Sequence, residues 1–403
     1  MTDVTDPFLH LYAARTGGMS ASEVRALFAV ASRPEVVSLA GGMPFVQALP
    51  TEHVQEVVRE VLEEQGAVAL QYCGGAGLAE LRERLVELMG AEGVDGRPDA
   101  IVITHGAQQA LDLVAKTFLD PGDRVVVEAP AYVGALSAFS AYQPRFEQIP
   151  VDDEGMVVDD LARVLGQGPR PKFVYTVPNF SNPAGVTMSL PRRERLVQMC
   201  RDSGVPILED NPYGMLRFEG ERLPCLRSLD PANVIYLGTL SKVFSPGVRV
   251  GWALAEPGIL GRLVLMKEAA DLCSGSFGQL VAARYLTGER WRQNLAVLVD
   301  VYRRRRDAML AALERDFPSG ARWTHPNGGF YVWATLPPGL DSASLLPLAV
   351  ENRVAYVPGT AFYTDGRGRD RLRLSFCYPT EERIAEGIRR LGEVLAKALR
   401  LPA

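Results

Sequence analysis

The segment TLSKVFSPGVRVGW, from Thr239 to Trp252, stands between two apolar runs, VIYLG before it and VGWALA overlapping its end. Both runs have the length and composition of buried β-strands, so the segment connects two predicted strands. It contains Lys242, one of only five lysines in a chain with 43 lysines and arginines together. A buried lysine can lose its proton and become a nucleophile or a base, whereas an arginine remains charged. Lys242 is therefore a candidate catalytic residue.

Strands and helices alternate along the chain before this segment. The predicted strands are AIVITHG, RVVVEAP, FVYTVPN, VPILEDN, VIYLGT and VGWALA. Helices are predicted over TEHVQEVVREVLEEQG, LAELRERLVELMG, AQQALDLVAKTFL and PRRERLVQMCRDSG, several of which repeat apolar residues at helical spacing. Such alternation predicts an α/β fold with a mostly parallel, seven-stranded sheet between layers of helices.

The pattern changes in the last third of the chain. A long, Arg-rich helix is predicted from Arg290 to Asp316, then the strand-like segments GGFYVWATLP, VAYVPGTAFY and RLRLSFC, and a closing helix from roughly Thr380 to Leu399. We therefore predict an N-terminal segment over 1–45 that joins the small domain and the cleft, a large domain over 46–289, and a small C-terminal α+β domain over 290–403.

Charge and composition narrow the class of protein. The net charge of -5 and the pI near 5.6 argue against a nucleic-acid partner. The one dense basic run, Arg303 to Arg306, is expected on a solvated helix face. No run of eighteen apolar residues predicts a membrane span, and the start MTDVTDPFLHLY carries acids where a signal peptide carries bases. We therefore expect a cytoplasmic protein with no membrane partner.

Cysteines and histidines do not form a metal-binding pattern. The five cysteines are scattered without a Cys-x-x-Cys pair, and the four histidines are scattered as well. We expect free thiols in a reducing compartment and no metal site.

Polar residues of different chemistry follow five of the predicted strands. Ligands in open α/β sheets bind at the carboxyl ends of the strands. The residues at these ends are Gly106, Ala107, Gln108, Tyr132, Asn182, Asp210, Tyr213, Thr239, Ser241 and Lys242, with Arg249 seven residues further on. Each alone has an ordinary explanation as a turn former, a helix start, an aromatic at the edge of the core or a surface charge. Their convergence at one edge of the sheet indicates a ligand site.

These residues resemble those of the fold-type I pyridoxal-phosphate enzymes, the class I/II aminotransferases. The resemblance runs from SLAGGMP to RLRLSF, and it rests on Asn-Pro-x-Gly, Asp-x-x-Tyr and Ser-Lys followed by Arg. The segments LQYCGGAGLAELR, GAQQALDLVAKTFLDPGD and EAPAYVGALSAF, like TLSKVFSPGVRVGW, are similar to the aminoadipate/kynurenine aminotransferase subgroup in particular. The resemblance implies a pyridoxal 5'-phosphate enzyme that moves an amino group between an L-amino acid and a 2-oxo acid by a ping-pong mechanism. Residues 46–289 would then bind the cofactor.

The resemblance also implies roles around the cofactor ring. Lys242 would form the Schiff base with the cofactor aldehyde and then move a proton as general base and acid. Asp210 would bond the pyridine nitrogen and keep it protonated. Asn182 and Tyr213 would donate to the phenolic oxygen, and Tyr132 would stack on the ring.

A second implied group holds the cofactor phosphate. Its members are the backbone N–H groups of Gly106, Ala107 and Gln108, the hydroxyls of Thr239 and Ser241, and the guanidinium of Arg249. Ala107 stands where the family often has a serine, so one hydroxyl contact is missing. Tyr72 would reach the phosphate of the neighbouring subunit, which implies a homodimer with shared active sites.

Substrate binding is implied for four residues, Arg373, Asn182, Gly41 and Arg25. Arg373, in RLRLSF, would bind the α-carboxylate of the amino acid through a bidentate contact, and Gly41 would leave room for it. Arg25 has two interpretations, as a partner of an acidic substrate side chain or as a solvated helix charge. The segment from Asp271 to Gln279, which lines the substrate region in relatives, departs from the family pattern.

Two alternatives accompany this interpretation. The same residue set serves other pyridoxal-phosphate reactions, so a β-lyase, a cyclase or a specialised biosynthetic enzyme is the alternative within the fold. A transcription regulator with an aminotransferase-like domain is the alternative outside catalysis. Because residues typical of the cofactor domain begin near Leu39, we expect no winged helix before them.

Overall fold

The computed structural model of the chain describes residues 6–17 and 33–400, so Arg25 lies outside the described residues. The strands are β1 (Val37–Ser38), β2 (Ile101–His105), β3 (Arg124–Ala129), β4 (Arg145–Asp152), β5 (Gly155–Met156), β6 (Val174–Thr176), β7 (Ile207–Asp210), β8 (Val234–Thr239), β9 (Val250–Leu254), β10 (Arg322–Trp323), β11 (Tyr331–Thr335), β12 (Val354–Ala355), β13 (Val357–Pro358) and β14 (Arg371–Ser375).

The α-helices are α1 (Ala14–Gly17), α2 (Thr51–Ala69), α3 (Ala79–Gly90), α4 (Ala107–Phe118), α5 (Val133–Ser140), α6 (Val158–Leu165), α7 (Leu190–Ser203), α8 (Leu226–Leu229), α9 (Pro257–Asp271), α10 (Ser276–Tyr285), α11 (Arg290–Asp316), α12 (Ser342–Glu351) and α13 (Glu381–Leu399). Short 3-10 turns occur at Leu9–Leu11, Val46–Ala48, Pro98–Ala100, Pro246–Val248 and Gly359–Phe362. No helix in the described part of the chain is long and apolar enough to cross a bilayer.

The large sheet has the strand order β2-β9-β8-β7-β6-β3-β4-β5. Strands β8, β7, β6, β3 and β4 run parallel, and β9 runs antiparallel between β2 and β8. The predicted α/β class with a mostly parallel sheet is confirmed. The predicted count of seven strands is wrong by one, because the chain turns back after β4 and pairs Met156 with Val151. Gly155, with φ of +92°, allows this tight reversal.

Helices cover both faces of this sheet. Val125 and Val127 of β3 belong to one buried apolar cluster and Val126 to another, as expected for a strand whose side chains alternate between two buried faces. The first cluster includes Leu111 of α4, and the second includes Leu196 of α7. The sheet therefore lies between two layers of helices.

A second, antiparallel sheet follows the large one in sequence. Its order is β10-β11-β14-β13, and β1 pairs separately with β12 in parallel. The helix predicted from Arg290 to Asp316 is present with those bounds, and the closing helix begins after the N-cap residue Thr380. In sequence, the strands of the large sheet precede residue 290 and those of the antiparallel sheet follow it. The domain boundaries themselves stay a prediction.

The basic run of α11 is only half solvated, contrary to expectation. Arg305 and Arg306 are buried. Arg305 donates to the Cys377 carbonyl over 2.5 Å, and its guanidinium lies 4.1 Å from the ring centroid of Phe45. Arg306 donates to the Pro326 carbonyl over 2.7 Å. Arginine tolerates such burial because its planar head stacks on rings and can donate several hydrogen bonds at once.

Candidate active site

A cavity of about 540 Å3 opens at the carboxyl ends of the parallel strands. Asp210 is the last residue of β7, Thr239 is the last residue of β8, and Gly106 directly follows β2. The sheet thus gathers residues that lie far apart in the sequence. Twelve of the fifteen predicted site residues line the cavity: Gly106, Ala107, Gln108, Tyr132, Asn182, Asp210, Tyr213, Thr239, Ser241, Lys242, Arg249 and Arg373.

Asp210 presents a half-satisfied carboxylate to this cavity. Its Oδ2 accepts a hydrogen bond of 3.0 Å from the Tyr175 hydroxyl, while Oδ1 is buried and has no partner among the described residues. Burial raises the pKa of Asp210 to about 7, against the opposing effects of the Tyr175 hydroxyl and the Lys242 charge. A buried acceptor of this kind is costly unless a donor meets it, so Oδ1 is suited to a cationic N–H group.

Lys242 lies in the turn that follows β8, three residues beyond Thr239. Its Nζ donates to the carbonyl of Gly42 over 3.2 Å and lies 5.6 Å from the ring centroid of Phe330. Burial lowers the pKa of Lys242; Cys377 opposes this shift, and the charges of Arg373 and Arg249 add to it. The site therefore favours a neutral amine more than water does.

The turn between β2 and α4 is built on two glycines. Gly106 has φ of +75°, and a Cβ there would lie 2.9 Å from Arg249 Nη2. A Cβ on Gly251 would lie 2.5 Å from the carbonyl carbon of Gly106. Only residues without a side chain let the two segments approach this closely. Arg249 Nη2 donates to the His105 carbonyl over 3.0 Å, which places a guanidinium beside the turn.

Donors for an anion surround this turn, with one change from expectation. The Gly106 N–H already donates to the Thr104 carbonyl over 2.9 Å, because the turn closes on itself, so Gly106 does not offer the free donor that we expected. The N–H groups of Ala107 and Gln108 are in the first turn of α4 and have no acceptor within the helix. The hydroxyls of Thr239 and Ser241 lie 2.9 Å apart at the same end of the cavity. Backbone donors at a helix start and two hydroxyls suit a phosphate.

Arg373 lines the same cavity. It lies on β14 of the second sheet and is 3% exposed. Its Nη1 donates to Asn182 Oδ1 over 2.8 Å, its Nη2 donates to the Ala40 carbonyl over 2.6 Å, and Nε has no partner among the described residues. The guanidinium lies 4.2 Å from the ring centroid of Tyr331. Because Asn182 Oδ1 accepts the hydrogen bond from Arg373, Asn182 Nδ2 is the atom of this amide that can donate to a ligand.

Two tyrosines supply ring faces and hydroxyls. Tyr213 is buried, and its ring meets that of Tyr331 edge to face with centroids 6.1 Å apart. Burial raises the pKa of Tyr213 well above its ordinary value. Burial and the Asp210 charge raise the pKa of Tyr132 as well. Both hydroxyls are therefore protonated donors at neutral pH.

Three predicted residues are not among those that line the cavity. Tyr72 is 78% exposed and lies on the surface. Gly41 is buried one residue short of the cavity wall, where its carbonyl accepts from Cys377 Sγ over 3.6 Å, and its neighbour Gly42 lines the cavity instead. The third residue, Arg25, is not described.

Sequence reasoning missed several lining residues. They are Gly42, Met43, Val133, Gly134, Ser137, Val177, Pro212, Pro246 and Tyr331. Tyr331 is the most important of them, because its hydroxyl oxygen lies only 1.9 Å from the position that a Cβ on Gly42 would take. From the sequence, GGFYVW is predicted only as a strand. The two glycines before its aromatic residues are the feature that could have indicated a close approach to the cavity. Tyr175 was missed because it lies inside a strand and not at its end.

Comparisons with known proteins agree with this geometry. The family model of aminotransferase class I and II matches residues 35–391. The chain is 46% identical to aromatic-amino-acid aminotransferase 1 of Thermococcus litoralis over 95% of this chain and 93% of that protein. Its fold is similar to that of a kynurenine aminotransferase from Pyrococcus horikoshii, with a TM-score of 0.93 and 43% identity over 97% of this chain and 98% of that one.

A third relative was solved with a cofactor adduct. The fold is similar to that of an α-aminoadipate aminotransferase from Thermus thermophilus complexed with N-(5'-phosphopyridoxyl)-L-leucine, with a TM-score of 0.91 and 41% identity over 98% of this chain and 99% of that one. The predicted resemblance to the aminoadipate/kynurenine subgroup is confirmed. The chain thus belongs to the class I and II aminotransferases, the pyridoxal-phosphate enzymes that transfer an amino group between an amino acid and a 2-oxo acid.

Proposed function

We propose that this cavity is the aminotransferase active site, with Lys242 as the residue that attaches the cofactor and moves the substrate proton. The observation that carries the proposal is the buried, unpartnered Oδ1 of Asp210 in the same cavity as Lys242 Nζ. Pyridoxal 5'-phosphate fits this donor set, because it brings a ring N–H for a buried carboxylate and a phosphate for a helix start. When bound, it supplies an aldehyde for covalent attachment and a ring that withdraws electrons from the substrate.

Around the ring, Asp210 would accept the pyridine N–H through Oδ1, which has no other partner among the described residues. Tyr175 holds Oδ2, so the carboxylate keeps one orientation. Asn182 Nδ2 and the Tyr213 hydroxyl are the donors for the phenolic oxygen, since Asn182 Oδ1 is already engaged by Arg373. Tyr132 covers one face of the ring.

The start of α4 would hold the phosphate. Ala107 and Gln108 would donate their backbone N–H groups, Ser241 would donate its hydroxyl, and Arg249 would provide the charge. Thr239, predicted as a further donor, donates its hydroxyl hydrogen to Ser241 Oγ over 2.9 Å and so holds Ser241 in place. Support comes from the first-turn position of the two N–H groups and from the 2.9 Å spacing of the two hydroxyls. Gly106 contributes the shape of the turn and not a donor.

The proton at the substrate Cα passes through Lys242 Nζ. Burial lowers the pKa of Lys242 and so favours the neutral amine, the form that can accept that proton and later return it. Arg373 binds the α-carboxylate and so orients the Cα–H bond toward the lysine. Gly41 keeps its predicted role of leaving room for that carboxylate, whereas the space beside its neighbour Gly42 is taken by the Tyr331 hydroxyl. Arg25, which lies outside the described residues, keeps both interpretations, as a partner of an acidic substrate side chain or as a solvated helix charge.

Reductive trapping tests the role of Lys242. Borohydride treatment of the purified enzyme should leave one cofactor mass on the peptide that carries Lys242. Lys242→Ala should carry no such mass and should stop amino transfer, while Lys172→Ala, which alters a surface ion pair with Asp123, should behave as wild type. A fully active Lys242→Ala enzyme would exclude the proposed role.

We further propose a homodimer with shared sites. Tyr72 is exposed beside other apolar side chains, namely Leu70, Leu272 and Phe277. Ser276 Oγ donates to the Gln71 carbonyl over 2.7 Å, so the two segments form one exposed patch. Monomers rarely expose a contiguous apolar patch of this kind without a partner.

Subunit mixing tests whether Tyr72 acts in the partner's site. Tyr72→Phe should weaken cofactor binding, and Lys242→Ala should be inactive. A mixed dimer should regain one complete site, because the Lys242→Ala subunit lends its intact Tyr72 to the other. Mixtures that never exceed the activity of the Tyr72→Phe enzyme alone would exclude a shared site.

We also propose that the enzyme works in the cytoplasm. The support is chemical: none of its five cysteines, all described, forms a disulfide. Fractionation of cells that express a tagged chain tests this, and recovery outside the cytoplasmic fraction would exclude it.

A further inference from the structure

An ion pair between a buried lysine and a partly exposed carboxylate lies beside the turn between β2 and α4, outside the cavity. Lys267 is completely buried on α9, and its Nζ lies 2.7 Å from Asp271 Oδ1 and 2.8 Å from Oδ2. A buried ammonium is costly unless it is paired, so Lys267 fixes the position of this carboxylate. Neither residue lines the cavity. Asp271 opens the segment Asp271–Gln279, which departs from the family pattern.

The same carboxylate binds both flanks of the turn. Asp271 Oδ2 lies 2.8 Å from His105 Nδ1 and accepts from Gln109 Nε2 over 2.5 Å. Burial opposes the charge of Asp271, but the hydrogen bonds from Lys267 and Gln109 outweigh it and lower the pKa of this carboxyl. His105 precedes Gly106, and Gln109 follows Gln108. The Asp271 carboxylate therefore contacts the side chains of the residues on both sides of the turn, His105 before it and Gln109 after it.

Two further bonds complete the frame. Gln109 Oε1 accepts from the His105 backbone N–H over 2.8 Å, which ties the two flanks to each other. The His105 carbonyl accepts from Arg249 Nη2 over 3.0 Å. Through His105 and Gln109, the Asp271 carboxylate is thus linked to the backbone donors and to the Arg249 guanidinium that we propose for the phosphate. Asp271 does not line the cavity.

We propose that Asp271, held by Lys267, is a positioning residue that sets the phosphate-binding turn through His105 and Gln109. The inference rests on the proposed placement of the phosphate at Ala107, Gln108, Ser241 and their neighbours. A preformed turn binds phosphate without first having to order its backbone donors. Loosening the frame should weaken the phosphate contact and leave the covalent attachment at Lys242 unchanged.

Comparison of two ligands separates this role from a general effect on stability. Pyridoxal 5'-phosphate and pyridoxal, which lacks the phosphate, are titrated into the apoenzyme by absorbance, and the ratio of the two dissociation constants is measured. Asp271→Asn alone leaves a buried Lys267 unpaired and endangers folding, so the paired variant Lys267→Met/Asp271→Asn is used. Gln109→Leu is a second variant that removes both hydrogen bonds of Gln109, to Asp271 and to the His105 N–H, and leaves the contacts of Asp271 with Lys267 and His105.

Both variants should bind pyridoxal 5'-phosphate about tenfold more weakly, the effect of one lost charge-assisted hydrogen bond, and bind pyridoxal as wild type does. Asp160→Asn, which removes a charge from the exposed pair with Arg163, is the matched control and should change neither constant. Equal weakening of both ligands, or no change in a folded variant, would overturn the inference.

A positive control separates this inference from the proposed site. Ser241→Ala removes a direct phosphate donor and should weaken only pyridoxal 5'-phosphate. If Ser241→Ala has this effect and the frame variants do not, Asp271 is not a positioning residue. If neither has an effect, the phosphate does not bind at this turn, and the proposed site falls together with the inference.

Discussion

The Tyr175 hydroxyl donates to Asp210 Oδ2 over 3.0 Å, from the strand that lies beside the one carrying Asp210. This bond occupies one carboxylate oxygen and leaves the other as the unpartnered acceptor in the cavity. The orientation of the proposed ring-nitrogen partner is therefore decided inside the sheet and not by a loop. Strands move less than loops, so the acceptor is fixed before any ligand arrives.

Tyr175→Phe should lower kcat about tenfold while the cofactor remains bound. The variant removes one donor and leaves a buried carboxylate oxygen unsatisfied, which should also cost about 1–3 kcal/mol of unfolding free energy. Turnover assays and urea unfolding of the apoenzyme measure the two effects. An unchanged kcat would show that the orientation of Asp210 does not depend on this bond.

Asp210→Ala should reduce kcat by roughly 10²–10³-fold and retain some bound cofactor. The missing carboxylate no longer stabilises the charge on the ring, whereas the phosphate contacts and Lys242 are unaltered. The measurement is single-turnover amino transfer with the cofactor content determined in parallel. An Asp210→Ala enzyme at wild-type rate would exclude the proposed contact.

Arg373→Lys should raise KM for amino acids and lower kcat/KM roughly 10–100-fold. A lysine keeps the charge but cannot form the parallel pair of N–H bonds, nor keep both the Asn182 and Ala40 contacts. Steady-state kinetics with donors of different side chains measure the change. A proportional loss for all donors is expected, because each has the same α-carboxylate, and a loss confined to one donor class would contradict the role.

Glu128→Gln should make the unfolding free energy of the apoenzyme fall less as the pH rises. Glu128 is buried, accepts from Thr176 Oγ1 over 2.5 Å, and burial raises its pKa from 4.5 to about 7. The stability it contributes is complete below about pH 4.5 and is lost as the pH rises through 7, because the folded protein holds the proton more tightly than the unfolded chain.

The loss of unfolding free energy between pH 5 and pH 8 should therefore shrink by about 2 kcal/mol in Glu128→Gln. Urea unfolding at four pH values measures it. Glu63→Gln, in an exposed pair with Arg59, is the control and should leave the pH profile unchanged. A Glu128→Gln profile parallel to that of wild type would show that this carboxyl does not titrate in that window.

Gly251→Ala should destabilise the apoenzyme by roughly 1–3 kcal/mol and weaken cofactor binding. The added Cβ would lie 2.5 Å from the Gly106 carbonyl carbon and 2.6 Å from the Ala107 nitrogen, so backbone must move. Gly258→Ala is the matched control, because no atom lies within 4 Å of its added Cβ. Wild-type affinity in Gly251→Ala would mean that the turn tolerates displacement.

Much of the site was predictable because it follows strand ends. Asp210 and Thr239 end parallel strands, and a polar residue that ends an apolar strand is visible in sequence. Arg373 was predicted from family resemblance alone, since its strand belongs to the second sheet and no local pattern ties it to the first. Long helices such as Arg290–Asp316 were also predictable, because their apolar spacing repeats over many turns.

The unpredicted features depend on tertiary contacts. Arg305 and Arg306 looked solvated because charge alone says nothing about a nearby carbonyl or ring. Tyr175 was hidden because a strand residue carries no sign of what faces it across the sheet. Asp271 and Lys267 are an ordinary helical ion pair in sequence, and only the fold brings His105 against them.

The glycines around the cavity limit how this enzyme can be redesigned. At Gly42, Gly106 and Gly251 an added methyl group would enter space already taken by Tyr331, Arg249 or backbone. A mutant library that varies these positions would mostly sample damaged pockets. Met43 and Ser137 line the same cavity and are exposed, so we expect directed evolution of substrate range to have its productive entry points there.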